Sequence, residues 1–187
     1  MLYAMSAQTN SSDKKTKKSK TIGQVFTPQY IVEEMLDYSE YYGPSIIEKH
    51  IIDNSCGDGA FLKVVVARYC EESIKSGRNK EQIKQDLEHY IHGIDTDSVA
   101  YQQCLENLSY VASGFGIEHV KWDLYNQSSL SMKKFNGKMD FVVGNPPYVR
   151  VHNLDASYDE VKQYKFANGG MTDLYLAFFE LGFKMLG

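Results

Sequence analysis

The amino-acid sequence predicts an α/β fold, a doubly wound and mainly parallel sheet with helices on both faces. Three observations lead to this prediction. Four short apolar or β-branched runs alternate with segments of helical periodicity. The 187 residues, of which 43% are hydrophobic, can bury one core and match one domain in size. Polar side chains come directly after the apolar runs, as they do at the carboxyl edge of a parallel sheet.

The first part of the chain contains one predicted strand between two predicted helices. Thr27 can cap a helix that Pro28 opens, because the fixed φ of proline suits the first helical position. Gly43-Pro44 ends this helix. The short run 51–53 is a predicted strand, and a turn with two glycines leads from it into a helix over residues 60–70.

The rest of the chain continues the alternation. We predict further strands over residues 91–94, 118–122 and 139–143, and further helices over residues 80–90, 98–113, 157–166 and 172–186. The last strand is predicted to be covered on both faces, because it is apolar or β-branched apart from Asp140. The polar stretch 125–138 is a predicted loop in which residues 128–134 form a short helical turn.

The charged residues are distributed unevenly. Residues 1–22 contain five Lys and one Asp, so a net charge of −4 for the chain leaves −8 on residues 23–187. We expect a disordered basic tail over 1–22 and one folded domain over 23–187. Because phosphate contacts dominate DNA affinity, an acidic body is unusual for a protein that binds DNA alone. Either another domain supplies a basic surface, or the substrate is not a nucleic acid.

The cysteines and the hydropathy pattern exclude several classes of protein. Cys56, Cys70 and Cys104 are odd in number and lack metal-ligand spacing, so we expect free thiols and no metal site. No apolar run reaches the ~18 residues that a membrane span needs. The start of the chain lacks the basic and apolar regions of a secretory signal. We therefore expect a cytoplasmic protein.

Polar side chains follow all four predicted strands. Asp53, Asp95, Asp123 and Asn145 each come just past one strand. Because the carboxyl ends of parallel strands meet at one edge, we expect the four side chains to surround one crevice. An acid after the second strand suits ribose hydroxyls, which donate to a carboxylate, so Asp95 is the candidate for that contact.

The turn after the first strand indicates the charge of the ligand. Gly57 and Gly59 let the backbone approach a ligand closely. No Gly-Lys-Ser/Thr follows, and Asp58 would repel an anion, so this is not a phosphate loop. The three-glycine fingerprint of nucleotide-binding dehydrogenases is also missing. A sulfonium cofactor fits these features.

The run Asn145-Pro146-Pro147-Tyr148 is suited to holding a planar amine. Two prolines fix φ and remove two N–H donors, which leaves a stiff turn. The Asn145 side-chain oxygen and the Pro146 carbonyl can accept the two N–H bonds of an exocyclic amine and free its lone pair for attack. The ring of Tyr148 can stack on a base, a contact worth roughly 1–3 kcal/mol.

Taken together, these motifs resemble those of S-adenosylmethionine-dependent adenine-N6 DNA methyltransferases, over residues 23–186. The run Gly23-Gln24-Val25-Phe26-Thr27-Pro28 resembles the opening motif of that family. Asn145-Pro146-Pro147-Tyr148 resembles its catalytic motif, and Thr172-Asp173-Leu174-Tyr175 resembles the start of the helix that follows it.

The resemblance implies a role for each motif residue. Thr27 would meet the methionine carboxylate of the cofactor, Asp53 its ammonium and Asp95 its ribose, while Asp123 would accept a bond from its adenine amine. The implied catalytic residues are Asn145, Pro146, Pro147 and Tyr148. The implied cofactor-binding residues are Val25, Phe26, Thr27, Asp53, Ser55, Gly57, Gly59, Asp95, Thr96, Asp123 and Leu124.

The resemblance also implies a substrate and a missing region. The expected reaction is methylation of a flipped-out adenine in double-stranded DNA, within a restriction-modification system. A cytosine-C5 enzyme would need a Cys nucleophile, usually after Pro, and no cysteine here follows a proline. We expect a Rossmann-like methyltransferase domain over 23–187 that is incomplete at the C-terminus, with target recognition on another domain or subunit. For this chain alone we expect weak cofactor binding and no methylation.

Two other functions remain open from the sequence. The same turn suits a methyltransferase that acts on a protein glutamine amide or on an exocyclic amine in RNA. The chain could also be a catalytically silent fragment that binds only cofactor or a partner.

Overall fold

Four strands form one parallel sheet in the order β3-β2-β1-β4: β1 (Ile51–Asp53), β2 (Ile91–Asp95), β3 (Asp123–Asn126) and β4 (Phe141–Val143). The computed structural model that shows them describes residues 27–148, 158–167 and 174–187. Ile51 pairs with both Ile91 and Phe141, so β1 lies between β2 and β4. The strand order therefore reverses between β1 and β4, and in open α/β sheets the ligand crevice lies at this switch point.

Within these described residues, six α-helices and three short 3₁₀ turns surround the sheet. The helices are α1 (Gln29–Tyr38), α2 (Ala60–Lys75), α3 (Lys80–Tyr90), α4 (Ser98–Gly114), α5 (Tyr158–Val161) and α6 (Leu174–Met185). The 3₁₀ turns are Pro44–Ile46, Ser129–Ser131 and Lys165–Ala167. α3 begins where Asn79 and Gln82 form a capping box, and α4 begins where Asp97 accepts from the N–H groups of Val99 and Ala100.

Apolar side chains cover both faces of the sheet, which confirms the predicted doubly wound architecture. Ile51, Ile91 and Leu124 join one core with α1 to α4. Ile52 and Ile94 join a second core with α5, α6 and the loop after β3. Since neighbouring residues of a strand point to opposite faces, one short strand contributes to both cores.

Most predicted elements are present, with shifted ends. The predictions for β1, β2, α3 and α4 hold within one residue. α2 continues five residues beyond the predicted end, up to Lys75. The predicted helix 157–166 is two short helical segments, α5 and Lys165–Ala167. The start of the predicted helix 172–186 lies outside the described residues, within which α6 begins at Leu174.

The third strand was predicted in the wrong place. Residues 118–122 are not extended, because His119 has a left-handed backbone with φ of 57°. The strand instead begins at Asp123, which pairs with His92, and ends at Asn126, which pairs with Asp95. Asp123 therefore lies at the amino end of β3 and not past its carboxyl end.

β4 was predicted to be covered on both faces, but it is the edge strand of the described sheet and its three residues are only half-buried. Beyond α6 the chain returns to this edge, where Leu186 forms an isolated parallel bridge with Met139. Next to that edge Phe179 and Phe183 of α6 are each 60% exposed.

None of the helices in the described residues combines the length and the apolar character that a bilayer span requires. That same part of the chain holds no group of three or more His, Cys, Asp or Glu side chains placed to bind a metal ion. All three cysteines are free and buried, as predicted.

Candidate active site

Asp53 ends β1 at the switch point and is almost completely buried, with 2% of its surface exposed. Its Oδ1 accepts a hydrogen bond of 3.0 Å from the N–H of Ser55. Burial raises the pKa of Asp53 to about 7, helped by the nearby charge of Asp95 and opposed by the Ser55 bond. A cationic ligand would reverse this effect by favouring the ionised carboxyl.

Hydrogen bonds to a backbone carbonyl and to a carboxylate fix the turn between β1 and α2. The N–H of Cys56 donates to the carbonyl of Ile94 at 3.0 Å, and that of Gly57 donates to Asp95 Oδ2 at 2.7 Å. The backbone of Gly59 is left-handed, with φ of 88°, and any Cβ there would lie 2.9 Å from the sulfur of Cys104. The glycine predicted here for close backbone approach is thus also required by packing against α4.

The same turn contains a polar atom without a protein partner. The Oγ of Ser55 is buried and makes no hydrogen bond within the described part of the chain. Buried hydroxyls are normally satisfied, so an orphaned one beside two carboxylates suits a polar ligand.

Asp95 ends β2 and holds two backbone segments. Its Oδ2 accepts from Gly57 and its Oδ1 accepts from the N–H of Asp97 at 2.8 Å. Burial raises the pKa of Asp95, while these backbone bonds oppose the increase. Each carboxylate oxygen retains a second lone pair, so Asp95 can still accept from a ligand hydroxyl. Thr96, the neighbouring predicted site residue, is exposed.

Asn145 lies two residues past β4, opposite Asp53. Gly144, with φ of 142°, passes so close to Asp53 that a Cβ would lie 2.4 Å from its Oδ1. The Asn145 Nδ2 donates to Thr27 Oγ1 at 3.2 Å, although the two residues are far apart in sequence. The ring of Tyr148 is 62% exposed and its centroid lies 6.1 Å from that of Tyr175.

Thr27 does not cap α1, which corrects the prediction. The N-cap residue is Pro28, whose extended ψ of 143° starts the helix one residue later than expected, and no side chain caps it. The hydroxyl of Thr27 faces Asn145 instead. Val25, Phe26, Thr172 and Asp173, which the sequence also singled out, lie outside the described residues.

Asp123 is not at this edge of the sheet. Its Oδ2 lies 2.7 Å from His92 Nδ1, and its Oδ1 accepts from Tyr125 at 2.5 Å and from Lys134 at 3.1 Å. Burial alone would raise the pKa of Asp123, but the bonds from His92, Tyr125 and Lys134 outweigh burial and hold it well below its usual range. Leu124, also predicted for the site, is buried in the core beneath Gly93.

Asn126, which the sequence motifs did not single out, occupies the position expected for Asp123. It ends β3, pairs with Asp95, and its Nδ2 donates to the carbonyl of Asp95 at 2.9 Å. Its side chain is exposed at the carboxyl edge. The signal for it was modest: the β-favouring pair Leu124-Tyr125 followed by the turn-forming run 126–129.

A groove of about 540 Å³ opens beside the candidate site, between α1 and α2. Thr27 and Asp58 line its end nearest the β1–α2 turn, and Glu33, Lys63 and Glu71 line the remainder. The groove therefore lies next to the carboxyl end of β1.

Comparison with known proteins identifies the family. The family model described as Eco57I restriction-modification methylase matches residues 60–187. Type II methyltransferase M.BstVI of Geobacillus stearothermophilus is 31% identical over 179 residues, 88% of this chain and 31% of that protein. Modification methylase CviBIII of Paramecium bursaria Chlorella virus NC1A is 32% identical over 139 residues, 72% of this chain and 28% of that protein.

A solved structure shares the fold. The methyltransferase subunit of a type I restriction-modification system from Streptococcus thermophilus superposes with a TM-score of 0.57 at 16% identity, over 90% of this chain and 33% of that one. The chain spans about a third of the length of the curated relatives named above. Because the family model covers more than half of its residues, the chain belongs to the Eco57I restriction-modification methylase family.

Proposed function

We propose that the protein transfers a methyl group from S-adenosylmethionine to the N6 amine of an adenine in DNA, within a restriction-modification system. One observation carries the proposal: the Asn145-Pro146-Pro147-Tyr148 turn lies at the topological switch point, and Gly144, directly before it, passes close to the buried carboxyl of Asp53. Family membership and the Type II methyltransferase relative support methyl transfer within a restriction-modification system.

The residues at the carboxyl edge fit a cationic cofactor. Asp53 is buried and Asp95 is partly buried, and neither takes part in an ion pair within the described residues. Asp53 would hold the cofactor's ammonium, Asp95 its ribose and Thr27 its carboxylate. When bound, S-adenosylmethionine supplies an electrophilic methyl group.

Two residues are candidates for the contact with the adenine amine of the cofactor. The resemblance assigns the adenine amine of the cofactor to Asp123, but this carboxylate is engaged by His92, Tyr125 and Lys134 at the other end of β3. Asn126 lies at the carboxyl end of β3 with a free amide oxygen, since its Nδ2 is the atom bonded to Asp95. We therefore propose Asn126 for this contact.

The substrate amine would be held by the turn after β4. The Asn145 oxygen and the Pro146 carbonyl would accept its two N–H bonds, which favours a pyramidal nitrogen with an available lone pair. Tyr148, whose ring is largely exposed, would stack on the flipped base. Extracting the base from the duplex costs a few kcal/mol of stacking, which contacts to DNA would offset.

The contacts to DNA would involve more than the described surface. The two longer relatives are named methyltransferases and are about three times as long as this chain. We propose that target recognition resides in a region or partner of that kind, which agrees with the net charge of −8 on residues 23–187 of a chain whose overall charge is −4.

The test uses methyl-labelled S-adenosylmethionine with the complete gene product and unmethylated plasmid DNA. We expect label in N6-methyladenine after digestion of the DNA. Asn145→Ala should reduce transfer about 100-fold or more while cofactor affinity changes less than about twofold, because one preorganised polar contact is lost only at the reacting centre. Label in cytosine, in RNA or in a glutamine side chain would overturn the proposal.

A further inference from the structure

The hydrogen bond between Thr27 and Asn145 joins the start of the described chain to the turn that follows the last strand. The two side chains meet at 3.2 Å, with the amide nitrogen of Asn145 as donor and the hydroxyl oxygen of Thr27 as acceptor. Because the hydroxyl of Thr27 does not cap α1, it is available for this contact. Both side chains are partly buried, so water competes only in part for the bond.

The orientation of the Asn145 amide decides whether it can hold an amine. An amide has one acceptor end and one donor end of nearly equal size, and only the oxygen can accept from an N–H group. If the amide were rotated by half a turn, its NH₂ group would face the N–H groups of the substrate, and donor would meet donor.

The turn itself cannot set this orientation. An asparagine oxygen often accepts from the backbone N–H two residues further along the chain, in an Asx turn. Here that position is Pro147, which has no N–H, and Pro146 has none either. The two prolines therefore leave the Asn145 oxygen free for a substrate, and the amide must be fixed from outside the turn.

We infer that Thr27 is a positioning residue that holds the Asn145 amide with its oxygen toward the substrate amine. The inference rests on the proposed function, and it gives Thr27 a second task besides the cofactor contact that the resemblance implies. A hydroxyl can donate one bond and accept others. If Thr27 donates to a carboxylate of the cofactor, its lone pairs remain directed at Asn145, so bound cofactor reinforces the productive amide orientation.

The first arm of the test examines the protein without cofactor or DNA. NMR of ¹⁵N-labelled protein reports the side-chain NH₂ group of Asn145, assigned by its disappearance in Asn145→Ala. Thr27→Val keeps the shape of the side chain but removes the acceptor, so the NH₂ signals should move and exchange with water about 3- to 10-fold faster, as expected for one neutral hydrogen bond. Thr27→Ser should restore the wild-type behaviour.

Ser45→Ala is the control, because it removes an exposed hydroxyl that bonds only to the nearby carbonyl of Tyr42 at 3.2 Å. It should leave the Asn145 signals unchanged. If Thr27→Val also leaves them unchanged, the inference is overturned, whatever the activity of the protein.

The second arm measures methyl transfer by the complete gene product at saturating cofactor. We expect Thr27→Val to lower kcat about 3- to 10-fold and Thr27→Ser to recover most of it. A kcat unaffected by Thr27→Val would also overturn the positioning role. If neither the wild type nor any variant transfers a methyl group, but Thr27→Val still changes the Asn145 NMR signals, the proposed function is wrong. The hydrogen bond between Thr27 and Asn145 would then be established independently of that function.

Discussion

The two edges of the sheet have similar polar residues but use them in opposite ways. At the amino edge, His50 Nδ1 lies 2.9 Å from His92 Nε2, and His92 Nδ1 lies 2.7 Å from Asp123. Asp140 accepts from the N–H of His50 and from Lys49, both at 2.9 Å. Each carboxylate there has a cationic or side-chain donor.

At the carboxyl edge, the carboxylates of Asp53 and Asp95 accept from backbone donors within the described residues. Asp53 accepts from Ser55, and Asp95 accepts from Gly57 and Asp97. The backbone beside them has positive φ at Gly57, Gly59 and Gly144, a conformation that favours glycine over other residues. Polar groups whose hydrogen-bond partners all come from the protein stabilise the fold. Polar groups that lack some of these partners, and that lie beside backbone with positive φ, indicate the ligand site.

The largest expected effect separates Asp95 from Asp123. Asp95→Ala should weaken S-adenosylmethionine binding about 100-fold, because it removes both a ligand contact and two charge-assisted bonds that shape the turn. Asp123→Ala should instead lower the free energy of unfolding by about 1–3 kcal/mol, since the buried His92 loses its acceptor. Calorimetric titration and urea unfolding measure the two effects.

An equal loss of affinity in both variants would contradict this comparison. Such a result would indicate that Asp123 belongs to the cofactor site, and Asn126 would no longer be the candidate for the contact with the adenine amine of the cofactor.

The second prediction concerns the contact between Gly144 and Asp53. Gly144→Ala should lower the free energy of unfolding by about 2–4 kcal/mol, because its Cβ would overlap Oδ1 of Asp53 and its φ of 142° disfavours an L-residue. Gly77→Ala is the matched control, since φ there is 78° but no atom lies within 4 Å of the added Cβ. The control should cost only about 1 kcal/mol. Equal losses in urea unfolding would show that close packing against Asp53 is unimportant.

The third prediction follows from the pKa of Asp53, which burial raises to about 7. Below that pH the carboxyl is protonated and must lose its proton before it can pair with a cation. Affinity for S-adenosylmethionine should therefore rise about fivefold from pH ~6 to pH ~7 in calorimetric titrations, because the ionised fraction of Asp53 rises by that factor. Asp53→Asn should bind more weakly and lose this pH dependence, whereas a persisting dependence would assign it to another group.

The ligand-free protein should show the opposite trend. The folded state holds a proton on Asp53 that the unfolded state releases near pH ~4, so this carboxyl makes the free energy of unfolding fall as pH rises toward about 7.

The smallest expected effect is at the amino edge. Burial lowers the pKa of His50, and the charges of His92 and His89 lower it further against the opposing Asp140 and Asp123. The unfolded state therefore binds the proton first. Because His50 is only partly buried and solvent screens these charges, stability should fall by less than about 1 kcal/mol as pH drops below ~6.5. His50→Gln should flatten the dependence of urea midpoints on pH in this range. An unchanged slope would mean that other groups cause it.

Asp95 and Asp123 show why part of the site could not be predicted. Both follow a short β-favouring run, and the sequence around them offers no distinction. Only the pairing of Asp123 with His92, and the left-handed backbone at His119, places Asp123 at the start of its strand. A shift of a few residues in register moved the acid to the opposite edge of the sheet, since register depends on contacts with another strand.

By contrast, the extent of α3 followed from local chemistry. Asn79 and Gln82 form their capping box within four residues, and the helix covers Lys80–Tyr90 as predicted. Thr27 was predicted to cap α1 from a similar local pattern, but its hydroxyl bonds to Asn145, which is far away in the sequence. No local sequence pattern indicates a contact of this kind.

The sequence by itself determined the alternation of strands and helices, the glycine turn after β1 and the stiff Asn145–Tyr148 turn, because periodicity, capping and the φ of proline act over a few residues. Only the tertiary structure decided the order β3-β2-β1-β4, the close approach of Gly144 to Asp53 and the separation of Asp95 from Asp123. These depend on which strands lie side by side, and in which register, so they are properties of the assembled sheet.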